Sequence, residues 1–138
     1  VLIFGLDLSA ADPAALLVTI LAATFSTAGL GLLMGCLSLV TLNVMFVNNT
    51  IYFVLLVFSG ANIPVATLPA WMQSVSWVLP LTRGIHAARS IIEGAPLASV
   101  APLLTGEVIV GAVYALLGYS LFRWFEFQAK RRGTLEAF

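Results

Sequence analysis

Ionisable side chains, the groups most able to do chemistry, are concentrated in few places in this chain. From Pro13 through Thr82 there is no Asp, Glu, Lys, Arg or His, and the first dense group after that stretch is Arg83, His86, Arg89 and Glu93. At 100° per residue of an α-helix these four fall within an arc of about 120°, with Ile85, Ala88, Ile91 and Ile92 opposite. Arg89 and Glu93 also stand at the i,i+4 spacing of a helical ion pair. Such a stripe could ring the outer mouth of a polar path or hold a helix in place as a gate. The plainer alternative is the solvated or headgroup-facing side of an interfacial helix.

Other chemistries find little support. His86 has no second His or Cys and no suitably spaced carboxylate beyond Glu93, so no metal site is expected. Neither a glycine-rich phosphate loop, a Ser-His-Asp set nor a pair of intramembrane carboxylates occurs, and no catalytic residue is predicted. The single cysteine, Cys36, lies within an apolar run and reads as a small packing residue. Glu107 follows Pro102 and reads as an acid in the first turn of a helix, where the positive end of the dipole favours it; an intramembrane acid coupled to protons is the other reading. Asn43, Asn48, Asn49, Thr50 and Asn62 either cap helix ends or face a polar path. The six basic residues form no basic face interleaved with aromatics, so nucleic acid is not an expected partner.

The elements that carry these residues are set by an apolar composition. Of 138 residues 61% are hydrophobic and 9% charged, against about 25% charged in an ordinary soluble domain. A bilayer-spanning helix needs about 20 apolar residues. That length identifies an all-α integral membrane fold with three full crossings, at 13–40, 44–62 and 103–127, and the end of a fourth helix at 1–6. Val1 to Leu6 lacks the features of a secretory signal, and the chain is expected to begin in mid-protein. Prolines at 64, 69, 80 and 96 cut 65–94 into two pieces too short to span, an external pair of short interfacial or re-entrant helices. Trp71 and Trp77 favour the headgroup boundary for the first piece. In the first crossing, Ala23, Thr27, Gly31 and Gly35 recur every four positions and predict a helix-helix seam. An aromatic belt from Tyr119 to Phe127 precedes Lys130, Arg131 and Arg132, which assigns 128–138 to a cytoplasmic tail and places the hairpin outside.

Within Ser59 to Gly94, Pro64, Leu68, Pro69, Trp71, Pro80, Leu81, Thr82, Ala87, Ala88 and Arg89 stand in a pattern that resembles the type-2 ATP-binding cassette exporter permeases. AKRRGTLEAF at the end is also similar to family endings. The resemblance implies the C-terminal part of a six-helix permease in a bacterial or archaeal plasma (inner) membrane, paired with a second permease as a homo- or heterodimer. It also implies a separate nucleotide-binding ATPase subunit that carries the Mg-ATP, no cofactor in this chain, and export of a drug, lipid or polysaccharide-like substrate. The rival readings from the residues are a non-transporting membrane scaffold or assembly protein that binds through the small-residue seam, and a passive pore.

Overall fold

The computed structural model describes residues 12–131; the predicted helix end at 1–6 and the last seven residues of the tail lie outside them. Among these residues five α-helices follow one another: α1 (Pro13–Ser38), α2 (Val44–Phe58), α3 (Ala70–Val78), α4 (Thr82–Ile92) and α5 (Leu97–Arg131), with a 3-10 turn at Val65–Thr67. No strand occurs among the described residues.

The helix ends follow from local chemistry. Asp12 accepts from the backbone N–H of Ala14 at 2.9 Å, and Pro13 follows at the first helical position, where its missing N–H costs nothing. Asn43 caps α2 through Phe46 N–H at 3.2 Å. The first two helices end at Ser38 and Phe58 rather than at 40 and 62.

The last helix differs more from expectation. It starts at Leu97 instead of residue 103 and holds Pro102 inside. The proline falls in the second turn, where it forfeits one backbone bond while the first N–H groups are free in any case. At the other end α5 continues to Arg131, carried by Arg123–Glu126 and Glu126–Lys130 pairs at 3.0 and 2.6 Å. These i,i+3 and i,i+4 pairs suit continued helix.

Two helices, α1 and α5, are long and apolar enough to cross a membrane. Only 28% and 22% of their most apolar windows are buried, so neither is the enclosed core helix of a soluble protein. Ile20, Leu21, Ile109 and Leu116 are each at least 60% exposed, a surface suited to lipid. The apolar α2 has 15 residues, about 22 Å of helix. That is short of the roughly 30 Å of a bilayer core, and none of its residues is buried.

α1 and α5 pack side by side and run in the same direction, with Ser26 against Gly111 and Leu33 against Gly118. Buried residues recur at intervals of three and four from Ala15 through Thr19, Ala22 and Ser26 to Gly29 on α1, and from Val100 through Leu104 and Glu107 to Gly111 on α5, with Gly118 seven positions further. This is the spacing of left-handed helix pairs. Glycine is required at the closest points. A Cβ on Gly29 would stand 2.4 Å from the Gly111 carbonyl oxygen, and one on Gly111 would stand 2.6 Å from Ser26 Cα. Cys36 is buried beside this seam, its thiol donating to the Gly118 carbonyl at 3.2 Å. α4 lies against the first halves of both helices, where Ala87 and Ile91 complete a small core with Ala15, Ala22, Val100 and Leu104.

Candidate functional site

The α3–α4 hairpin turns at Leu79, Pro80 and Leu81, and its tip sits between α1 and α5. A Cβ on Gly84 would stand 2.8 Å from Ala23 Cβ and 3.9 Å from the Glu107 carboxyl carbon, so the first turn of α4 touches both long helices. This first turn presents backbone N–H groups that no carbonyl of the helix can satisfy. Leu81 at the cap position supplies no side-chain acceptor. Glu107 supplies two: its carboxylate accepts from Leu81 N–H at 2.5 Å and from Gly84 N–H at 3.2 Å.

Glu107 is therefore a helix-dipole acid, but for α4 rather than for its own helix. It is 0% exposed and lies well inside α5, not in the first turn expected from Pro102. Its two oxygens serve as acceptors for the unpaired N–H groups at the start of α4. Leu81 adopts φ 80°, a left-handed conformation that a leucine takes only at a cost of order 1–3 kcal/mol. The surrounding contacts hold it there, its N–H directed at the Glu107 oxygen.

Arg83, His86 and Arg89 are on α4 and Glu93 is its C-cap, but their surroundings separate the four. Arg89 does not pair with Glu93; its guanidinium donates to the Gly60 and Ala61 carbonyls at 2.8 and 3.1 Å. Those carbonyls follow α2, where Gly60 takes φ 81° and leaves the chain non-helical, so they offer free acceptors. Glu93 is exposed. The His86 ring stacks on Trp77 of α3, centroids 5.5 Å apart, and the Arg83 guanidinium carbon lies 5.5 Å from the same indole. Trp77 thus links α3 to α4 through two polar side chains. Among the described residues the ion pairs are those of Glu126, and no group of three or more His, Cys, Asp or Glu could hold a metal.

The second set of predicted residues lies along α1. Ala23 meets Gly84, and the Thr27 hydroxyl donates to the Ala23 carbonyl at 2.8 Å. Gly31 and Gly35 have no atom of the described chain within 4 Å of a would-be Cβ. The close contact with α5 uses the neighbouring stripe through Gly29. Beside the hairpin tip, Ile20, Ala23, Thr24, Thr27, Ala28 and Leu81 line an open groove of about 550 Å³.

Among the described residues, two long apolar helices pack side by side and a short hairpin folds back between them. A family model for the ABC-2 type transporter matches residues 1–92. The chain belongs to the ABC-2 type transporter family. The matched region of this ABC-2 domain ends with the last residue of α4. Glu107, which caps that helix, lies on α5 beyond the match. No curated protein and no solved structure matches the chain. As an ABC-2 membrane domain the protein is a membrane-embedded transport subunit and is not itself catalytic.

Reading the sequence alone misses the pairing of Glu107 with α4. The signal was present in two facts: Glu107 stands alone in a long apolar run, and the helix opening at Thr82 follows Pro80 and Leu81 without a capping side chain.

Proposed function

We propose that this chain is the C-terminal part of an exporter permease in a bacterial or archaeal inner membrane. Its C-terminus faces the cytoplasm, and α2 completes a third crossing. A second permease, identical or different, lies against the α1 face that bears Thr24, Thr27, Gly31 and Gly35, and the groove beside that face becomes one wall of the path. ATP hydrolysis, with its magnesium, takes place on a separate nucleotide-binding subunit. The substrate is a drug, lipid or polysaccharide-like molecule.

In this reading the α3–α4 hairpin closes the outer end of the path and moves as one body. Glu107 holds its inner tip, Arg89 ties its outer half to the end of α2, and His86 and Arg83 bind its two legs together through Trp77. Glu93, exposed, stands on its rim. The observation that carries the reading is the family match, which includes the hairpin and ends with it.

The test is to purify the tagged permease from its native membrane and to assay inverted vesicles for ATP-dependent uptake of a lipophilic fluorescent drug. The expected result is a co-purifying ATPase with a phosphate loop and uptake that falls in a correctly inserted Arg89→Ala variant. Absence of any such ATPase overturns the exporter reading; unchanged uptake in Arg89→Ala overturns the gating role of the hairpin.

A further inference from the structure

A second groove, of about 300 Å³, lies on the other side of the hairpin, between α3, α4 and α5. Arg83 and Trp77 form one end of it, and Ile109, Val113 and Leu117 continue it along α5. These three residues are one stripe at i, i+4 and i+8, each at least half exposed, and extend the groove over about 12 Å. Val78 and Tyr114 close its side, the Tyr114 hydroxyl donating to the Val78 carbonyl at 3.4 Å.

Among the described residues the cation at the head of this apolar groove has no hydrogen-bond acceptor. Arg83 Nη1 is enclosed and makes no hydrogen bond, and among the described residues none accepts from the rest of the guanidinium. Its side chain lies across Gly106, where a Cβ would stand 2.8 Å from Arg83 Cδ and 2.9 Å from Nε. The absence of a side chain on α5 is what lets the guanidinium lie there. The carboxylate of Glu107, the residue after Gly106, is committed to the N–H groups of α4. A guanidinium stays charged in any protein setting, and its fork of donors matches a phosphate.

The level of Arg83 in the membrane selects the ligand. Counting about 20 residues, one bilayer crossing, back from Arg123 in the basic cluster puts the opposite boundary near residue 103. Gly106 then lies about 5 Å inside it, within reach of headgroup phosphates for a snorkelling arginine. Trp77 beside it suits the same level. We propose that this groove binds an anionic phospholipid, its phosphodiester on Arg83 and one acyl chain along Ile109, Val113 and Leu117. This site is lateral, faces the bilayer and is separate from the α1 groove assigned to the transport path.

The experiment is native mass spectrometry of the intact permease in detergent with phosphatidylglycerol, phosphatidylcholine or inorganic phosphate added. Phosphatidylglycerol is expected to be retained over phosphatidylcholine, and Arg83→Gln to lower that retention about tenfold, the scale of one charge-assisted hydrogen bond. Arg83→Lys should keep part of it. Val113→Trp, an exposed change that fills the apolar arm and leaves the cation in place, should also release the lipid; this keeps the test decisive if Arg83→Gln does not fold. Equal retention by folded Arg83→Gln, indifference to Val113→Trp, or occupancy by inorganic phosphate as strong as by the lipid would overturn the assignment.

Discussion

The α1–α5 seam and the hairpin tip are both buried contacts between helices, and they are built in opposite ways. At the seam, backbone meets backbone: Gly29, Gly111 and Gly118 remove side chains so that the helices can approach. At the tip, a glutamate reaches across to N–H groups that have no other partner. In lipid the first contact is stabilised by close packing, since exposed and buried apolar surface differ little there. The second persists because an unpaired N–H away from water is costly. A steric contact fails when something is added, and a capping contact fails when something is removed.

The largest expected effect comes from adding bulk at the seam. Gly111→Leu places side-chain atoms against Ser26 Cα, which is backbone and cannot rotate aside. The cost should reach or exceed the ~3 kcal/mol upper range of overpacking. It should appear as loss of monodisperse protein in detergent, with every helix affected. Next is Glu107→Ala, which strands the N–H groups of Leu81 and Gly84. A destabilisation on the order of 2–3 kcal/mol is expected, confined in hydrogen exchange to the hairpin from Leu79 to Gly94. Glu107→Gln keeps an acceptor and should cost less than half as much. If Glu107→Ala instead loosens α1 and α5 throughout, the two contacts are not separable.

Arg89→Ala removes two bonds to carbonyls at an exposed position, and about 1 kcal/mol or less is expected, read as faster proteolysis between α2 and α3. The smallest effect belongs to Gly31→Ala and Gly35→Ala, which meet nothing within 4 Å. Alanine is the better helix former, so each should leave the monomer within about 1 kcal/mol of the parent, on the stabilising side. Weakened association of two permeases in cross-linking or light scattering, without monomer destabilisation, would show that this stripe faces the partner.

These contrasts also explain which features the sequence revealed. The long helices follow from hydropathy, and the broken segment before α5 follows from Pro64, Pro69, Pro80 and Pro96, because both signals are local. The partner of Glu107 is not local: its donors lie 26 and 23 residues earlier. Pro102 made a helix start look imminent and supplied a nearer explanation for the acid. α1 carries two small-residue stripes, one through Gly29 and one through Gly31, and only the position of α5 distinguishes them. The expected Arg89–Glu93 pair yielded to free carbonyls after α2, acceptors that residue spacing does not show.

The unbroken course of α5 carries a mechanical corollary. Between Glu107 and the basic residues at its far end there is no proline and no interruption, about 36 Å of continuous rod. A sliding of that rod by a single residue rise, ~1.5 Å, would draw both carboxylate oxygens away from Leu81 and Gly84 together and free Leu81 from its left-handed twist. In the proposed reading, one rigid part would thus join a push at the charged end of α5 to the release of the hairpin.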